Sequence, residues 1–415
     1  MRTFITRQVL FGLLVTVWLS CGVNAEAYEP FSCATTNNNC FAGYDSACCP
    51  SPWNFGGHVE SGLYVNQYGQ KNGYTNRAWG GDGIDWRSGN TEMLLNVRQS
   101  DLQVNQGWVF LEKKLSKRCC WDIGGRVDYV WGTDAFYMQS AGLENNAGHD
   151  YWGTGDYYSA MAQMYAELGY GRFSVKIGKF LTPMGSDPIY SPDRFFYSLS
   201  KNFGALPVTH TGALATLEVN RKLSVFGGWT QGYNEFFESS KNNAALAGFE
   251  YNLNPCTTIG YSFLWGKNTY SPWWNVNEDY FINALYMKRK LGCNWDYTLE
   301  WVYNKSKETG WEEVSYGINN SLYYTFNRNW AVGFRVEWMH DRESAGGAWG
   351  YRFAGDGYGL ALGANWTPCD WFTLKPEIRY DSVHGIPGEF NVVKGGWANA
   401  KSDQLAGGVS AIVRF

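Results

Sequence analysis

The last twelve residues of the chain, 404–415, alternate between two kinds of side chain and end on an aromatic residue. One set is small or polar and the other is apolar: the first contains Gln404, Ala406, Gly408, Ser410 and Arg414, and the second contains Leu405, Val409, Ala411, Val413 and Phe415. Successive side chains of a β-strand point to opposite faces. The segment therefore predicts a strand that meets water on one face and lipid on the other.

The beginning of the chain has the layout of a secretory signal. Arg2 and Arg7 precede an apolar run over 9–19, and small residues follow around Ala25. We therefore predict a signal peptide over 1–25 that is cleaved on export. Beyond it no apolar run reaches the roughly 18 residues of a membrane helix, so a membrane-spanning chain of this kind must form a closed barrel.

The composition agrees with a membrane barrel. The chain has 49 Gly, 28 Tyr, 24 Phe and 21 Trp, and only 17% of its residues are charged. Aromatic side chains line the two membrane interfaces of such barrels. A net charge of -4 without a basic stripe argues against nucleic acid as a partner. A soluble all-β sandwich or solenoid would account for the glycines and aromatics but not for the terminal strand.

Segments of period 2 alternate with short turns and long connections along the chain. The predicted strands are 57–67, 102–113, 121–132, 158–168, 172–180, 208–219, 223–233, 244–253, 257–266, 279–291, 295–305, 314–326, 330–341, 357–367, 371–382 and 403–415. Most have at least the roughly 9 to 11 residues that a tilted strand needs to cross a bilayer. We therefore predict an all-β fold over 54–415, a transmembrane antiparallel β-barrel of about 16 strands with both termini periplasmic and the long loops outside.

Charged side chains share one face of several predicted strands. In 371–380 the charged face carries Lys375, Glu377 and Arg379. A Lys or Arg facing lipid at mid-membrane costs roughly 2 to 4 kcal/mol, so this face must be the lumen, and a barrel of this size is wide enough to hold water. The predicted pore-lining residues are Arg126, Asp128, Lys176, Glu218, Glu250, Glu300, Arg335, Glu337, Lys375, Glu377 and Arg379.

The connection after the fifth predicted strand, between Lys179 and Val208, is rich in aromatic residues and proline. A loop with many large side chains usually packs on a surface, and the lumen is the nearest sheltered one. We expect the loop to fold into the barrel and narrow it. The predicted constriction residues are Asp187, Asp193, Arg194 and Lys201. An ordered cap on the extracellular mouth is the alternative.

A family resemblance rests on the same region. It consists of the run 176–180, Pro183 and Gly185, then 196–198, and then Pro207 with 210–212. These residues resemble the OmpL-like β-barrel porins of Gram-negative-type envelopes, and the resemblance extends over most of the chain from about Asn54. It implies an outer-membrane diffusion porin without catalytic residues. It leaves the solute open.

Nine cysteines follow the predicted signal peptide, and all fall on the side of the short turns. They are Cys33, Cys40, Cys48, Cys49, Cys119, Cys120, Cys256, Cys293 and Cys369. Exported proteins meet oxidising conditions, so disulfides are the first interpretation. Neighbouring hairpin turns lie too far apart to be bridged directly. We therefore predict that residues 28–53 of the Cys-rich periplasmic segment 26–53 are linked by disulfides across the periplasmic rim as a partial plug. The spacing does not match a zinc site, and we predict no metal.

Two other kinds of function stay open. His149–Asp150 and His340–Asp341 could serve an outer-membrane hydrolase, although no Gly-x-Ser-x-Gly or His-Glu-x-x-His motif occurs. The barrel could also be a plugged anchor for an adhesive envelope protein. The sequence favours a porin for passive diffusion of small hydrophilic solutes or ions through the outer membrane, with outer-membrane lipid around it, no cofactor, and a homotrimer left open.

Overall fold

The computed structural model describes residues 53–68, 96, 100–116, 121–145, 152–154, 157–237, 242–268, 278–308, 311–341, 355–384 and 401–415. The predicted signal peptide and nearly all of the Cys-rich segment lie outside these residues. The strands are β1 Trp53–Asn66, β2 Gln103–Lys113, β3 Trp121–Gly132, β4 Gly153–Thr154, β5 Tyr157–Tyr170, β6 Phe173–Leu181, β7 Thr209–Glu218, β8 Leu223–Thr230, β9 Asn243–Asn254, β10 Thr257–Asn268, β11 Glu278–Leu291, β12 Trp295–Glu308, β13 Trp311–Asn327, β14 Trp330–Asp341, β15 Gly355–Cys369, β16 Phe372–His384 and β17 Asp403–Arg414.

The sheet closes on itself. Neighbouring strands are antiparallel, and β1 pairs with both β2 and β17. The two-residue β4 pairs with β5, which also pairs directly with β3. Leaving β4 aside, the wall has sixteen strands, which confirms the predicted barrel and its strand count. The periplasmic location of the termini stays a prediction.

The two faces of the wall differ as the alternation predicted. On β14, Phe334 and Val336 are 46% and 38% exposed, whereas Arg335 and Glu337, which alternate with them, are 1% and 2% exposed. Alternate side chains of a barrel strand point outward and inward. The outer face is therefore apolar, as a lipid-facing surface requires.

The connection between β6 and β7, residues 182–208, lies inside the barrel, and we call it the transverse segment. It contains two short 3-10 helices, Ser191–Asp193 and Asn202–Ala205. Its residues bond to inward-facing side chains of β1, β12, β14 and β16. Among the described residues, no helix is long and apolar enough to span a bilayer.

One side of the transverse segment rests on an apolar surface. Met184 and Leu206 belong to a buried cluster with Leu246 of β9, Leu264 of β10 and Ile282 of β11. The last three side chains line the inner face of the barrel, which the sequence predicted to be polar. They are apolar because protein covers them instead of water, and burying a side chain of this size stabilises the packed state by about 1.5 to 3 kcal/mol.

The other side of the transverse segment packs against a second apolar cluster. Leu199 and Phe203 meet Trp108 of β2 and Tyr158 of β5 there. The 3-10 helix Asp134–Met138, which follows β3, is buried in the same cluster. The transverse segment is therefore supported from opposite parts of the wall.

Where β5 and β6 separate, side chains replace the missing backbone hydrogen bonds of the wall. Backbone pairing between these strands ends at Met164 and Lys179. Beyond that point Glu144 accepts hydrogen bonds from the backbone N–H of Met161 and from Lys179 Nζ, both at 2.8 Å. Backbone polar groups at membrane depth need partners within the protein, and Glu144 supplies one. We call this gap the β5–β6 seam.

Two of the predicted disulfide cysteines are free. Cys256 and Cys293 lie in the β9–β10 and β11–β12 turns and are exposed thiols. Neither forms a disulfide in this structure, in keeping with the roughly 10 Å between neighbouring hairpin turns. Cys369 ends β15, and the disulfide prediction for it stays a prediction. Cys33, Cys40, Cys48, Cys49, Cys119 and Cys120 lie outside the described residues.

Candidate pore constriction

Two arginines of the wall, Arg335 on β14 and Arg379 on β16, hold the middle of the transverse segment. Both donate a hydrogen bond to Ser198 Oγ. Both also donate to the carbonyl of Leu199, Arg335 at 3.2 Å and Arg379 at 3.0 Å. Glu377 accepts hydrogen bonds from the N–H and the hydroxyl of Ser198. Each arginine is 1% exposed. Because a guanidinium group stays protonated in proteins, carboxylates must balance both charges inside the barrel.

Those carboxylates are Glu337 and Asp381, which also bind Lys201 of the segment. Lys201 Nζ lies 3.0 Å from Asp381 Oδ1, and its backbone N–H donates to Glu337 Oε1 at 2.6 Å. Arg379 donates two hydrogen bonds to Asp381, at 2.7 and 2.8 Å, and lies 3.1 Å from Glu337. All four side chains are buried. Buried charges need good geometry and several hydrogen bonds to offset desolvation, and this network provides both.

A second ion pair fastens the segment near the closure of the barrel. Arg194 Nη2 lies 3.1 Å from Glu60 Oε2 on β1, and Glu60 Oε1 accepts a hydrogen bond from Ser410 of β17 at 2.9 Å. Lys375 of β16 donates to the carbonyls of Ser191, at 2.8 Å, and of Arg194. The segment therefore binds β1 and β16 directly, and Glu60 connects it to β17.

The beginning of the segment is fixed by Glu300 of β12. Its carboxylate accepts hydrogen bonds from the N–H of Ser186 and, at 3.3 Å, from Asn202 Nδ2. Asp187 follows directly and accepts a hydrogen bond from the N–H of Ser200 at 2.9 Å. Glu300 is 1% exposed, whereas Asp187 is only half-buried. Glu300 thus positions a carboxylate that still reaches water.

The four predicted constriction residues separate into two kinds. Arg194 and Lys201 are buried in ion pairs with acids of the wall. Asp187 is half-buried and Asp193 is exposed. The transverse segment carries no charged residue besides these four. Its charge toward water is therefore acidic.

The predicted pore-lining residues also separate by access to water. Arg126, Lys176, Glu218 and Glu250 are half-buried or exposed. The buried ones are Asp128, Glu300, Arg335, Glu337, Lys375, Glu377 and Arg379. Apart from Asp128, each of these seven contacts the transverse segment. The other six therefore position the segment instead of facing open solvent.

The end of the lumen with the short turns keeps a charged, water-accessible wall. Arg126 on β3 lies 2.6 Å from Asp128. Lys176 Nζ on β6 lies 4.2 Å from the centre of the Tyr165 ring, a cation–π contact. Glu250 on β9 is exposed. This end is a polar vestibule that leads to the transverse segment.

Sequence reasoning missed several residues that bind the segment. Glu60 and His58 lie on the inward face of β1, and His58 Nε2 is 3.0 Å from both Ser191 Oγ and Gln106 Oε1. The alternation of β1 could have revealed Glu60 as an inward charge. Ser198 carries no such signal, because its role depends only on the arginines that meet it.

The side chains of His340 and Asp341 do not face each other and so do not form a hydrolytic pair. His340 lies on the outer face of β14, with Nδ1 3.0 Å from Asp356 Oδ1 of β15, whereas Asp341 points inward and is 1% exposed. Adjacent residues of a strand point to opposite faces. His149 and Asp150 lie outside the described residues. Within the described part of the chain, no cluster of three or more His, Cys, Asp or Glu side chains could hold a metal ion.

Comparison with known proteins agrees with this architecture. The model of a family described as "Putative beta-barrel porin-2, OmpL-like" matches residues 52–415. No curated protein matches the chain. Solved structures with a similar fold include the trimer form of OmpT from Vibrio cholerae, with 10% identity, 88% of this chain and 99% of that chain covered, and a TM-score of 0.56.

Two further structures have a similar fold. The outer membrane channel DcaP of Acinetobacter baumannii is 8% identical, with 88% of this chain and 97% of that chain covered and a TM-score of 0.55. An anion-selective porin from Comamonas acidovorans is 11% identical, with 88% and 99% covered and a TM-score of 0.55. These likenesses concern the fold.

Proposed function

The chain belongs to the OmpL-like β-barrel porin family, and we propose that it forms a water-filled channel for passive diffusion of small hydrophilic solutes or ions through the outer membrane. The observation that carries this proposal is a closed sixteen-strand barrel with a charged vestibule and an internal segment fixed by ion pairs. A wall of this size leaves room for an aqueous path. Two proteins of similar fold, OmpT and DcaP, are outer-membrane proteins, which supports the location.

The transverse segment acts as the constriction in this proposal, and it favours cations. Its two bases are neutralised by Glu60 and Asp381, while Asp187 and Asp193 reach water. Rings of acidic side chains favour cations at a narrow point. The Comamonas porin is anion-selective, and we expect the opposite preference here.

The experiment is conductance of the purified protein in a planar bilayer, with the reversal potential measured under a salt gradient. We expect stepwise channels with a cation-selective potential, which the double variant Asp187→Asn, Asp193→Asn moves toward zero. Asp279→Asn is the matched control, because Asp279 lies outside the lumen and is 70% exposed. An anion-selective potential, or a double variant that behaves like wild type, would refute the acidic constriction.

A plugged barrel is the second candidate, and the packing of the segment against apolar clusters on opposite sides of the wall favours it. A folded protein that is silent in the bilayer would establish it. A deletion of 184–200 that opens channels would then show the segment to be the plug. If that deletion leaves an already open channel unchanged, the constriction hypothesis fails.

Signal-peptide cleavage, disulfides in the segment before the barrel and a homotrimer are also part of this proposal. Cleavage of 1–25 and a disulfide staple formed by 26–53 are tested by the intact mass of the exported protein before and after reduction. A homotrimer is supported by the trimer form named for OmpT. Its test is the mass of the detergent-solubilised protein, and a monomer would refute it.

A further inference from the structure

A groove lies on the outer face of the barrel beside the β5–β6 seam. It has a volume of about 510 Å³ and is lined by Tyr129, Trp131, Trp152, Gly153, Tyr157 and Ser159. Trp131 alternates with the inward Val130, which is fully buried, and is itself 43% exposed. The groove therefore opens toward the membrane and not toward the lumen.

The walls of the groove offer aromatic faces. Trp131 and Tyr157 are stacked with their ring centres 4.9 Å apart and their planes 11° from parallel. Tyr129 and Trp152 are 39% and 43% exposed. These rings extend the apolar belt of the barrel into a concave surface.

Several polar groups of the lining have hydrogen-bond partners within the protein. The hydroxyls of Tyr129 and Ser159 lie 2.8 Å apart and bond to each other. The N–H of Ser159 donates to the carbonyl of Trp152 at 2.6 Å. A sugar or another hydrophilic ligand needs convergent free donors and acceptors, whereas this groove presents mainly ring surface.

The position of the groove follows from the wall itself. Here β5 has left β6, and the short strand β4 pairs with Tyr157 and Tyr158 instead. Gly153 pairs with Tyr158, whose side chain is buried inside the barrel. A Cβ at Gly153 would lie 2.6 Å from Tyr158 Cδ1, so this close approach needs glycine.

We propose that this groove is a binding site for one acyl chain of an outer-membrane lipid. The proposal rests on the barrel spanning that membrane, where the groove continues the lipid-facing surface. Aromatic residues near strand ends lie at the membrane interface, so the chain enters beside the lipid headgroup. A concave and mainly aromatic surface that faces hydrocarbon is filled by a lipid chain.

Native mass spectrometry of the detergent-solubilised full-length protein tests this with dimyristoyl phosphatidylglycerol as the probe. We expect wild type to retain one lipid more tightly than the rest. The double variant Trp131→Ala, Tyr157→Ala should bind that lipid about tenfold more weakly. Trp265→Ala, which removes an outward Trp that is 66% exposed on β10, should bind like wild type.

Several outcomes would overturn the proposal. One is equal retention by the double variant and wild type, and another is equal binding of glycerol phosphate, which has a headgroup but no chain. A dimer that the double variant abolishes would identify a second copy as the occupant. If the alanine variant fails to fold, Trp131→Leu with Tyr157→Leu keeps the surface apolar but fills the groove differently, and the same comparison applies. Binding is measured without conductance, so a silent channel does not affect it.

Discussion

Replacing Arg379 by Met should release the transverse segment. Three buried bases, Lys201, Arg335 and Arg379, face three buried acids, Glu337, Glu377 and Asp381. The variant leaves one buried negative charge without a partner. Removing one member of a buried ion pair costs about 3 to 5 kcal/mol. Since 1.4 kcal/mol is a factor of ten, the undocked fraction should rise by roughly two to four orders of magnitude.

Trypsin reports docking, because Arg194 and Lys201 are buried in the docked segment, at 2% and 0% exposure. Cleavage that depends on transient opening follows the open population. We expect faster cleavage after these two residues in Arg379→Met, together with larger or noisier single-channel conductance. Arg328→Met, in the exposed β13–β14 turn, should match wild type.

A second variant separates charge from packing. Adding Asp381→Asn to Arg379→Met removes the orphaned charge, so the double variant should recover part of the docking and the two effects should not add. If Arg379→Met folds and shows wild-type cleavage and conductance, the ion pairs do not hold the segment and the reasoning is refuted.

Three further outcomes follow from the interior. Gly333→Ala should destabilise the barrel by about 1 to 3 kcal/mol, because its Cβ would lie 2.4 Å from Phe195 Cε1; urea unfolding measures this. Lys179→Met should cost about 3 to 5 kcal/mol in the same assay, since it leaves Glu144 buried at the β5–β6 seam without its cation, and adding Glu144→Gln should restore part of the loss. Burial raises the pKa of Asp134 to about 7, so its folded form binds more protons than the unfolded form between about pH 4 and 7, and its contribution to stability falls as pH rises through that window.

Controls make these outcomes decisive. Gly407→Ala, where the nearest atom would be 3.8 Å from the new Cβ, should cost less than Gly333→Ala. For Asp134, the thermal midpoint is followed from pH 4 to 8 in wild type and in Asp134→Asn. The midpoint of wild type relative to the variant should fall with pH. A constant difference would contradict the raised pKa.

The wall of the barrel was predictable because each strand by itself must alternate its side chains between the two faces and must be apolar on the face toward lipid. Leu405 is 46% exposed and its neighbour Ala406 is 2% exposed, as alternation alone requires. The inner surface was only partly predictable. Leu246, Leu264 and Ile282 face inward but are apolar, because the segment that covers them comes from a distant part of the chain.

The charges of the interior show the same limit. Period 2 identified Arg335 and Arg379 as inward, yet it could not distinguish a side chain in water from one that holds Ser198. That distinction depends on where the transverse segment lies. Its aromatic and proline content indicated packing but not the partners, which are set by the three-dimensional match of Lys201 to Asp381 and of Arg194 to Glu60.

The position of Glu60 has a consequence for the order of folding. It bonds to Ser410, 350 residues away in the chain, and to Arg194, 134 residues away. Contacts between such distant residues form late, because a long loop must close first. Arg194 and Ser410 each need Glu60, so zipping of the last strand to the first and entry of the segment stabilise each other. We therefore expect barrel closure and entry of the segment to be coupled, and a chain in which the segment stays outside would join β1 to β17 around a Glu60 that lacks its cation.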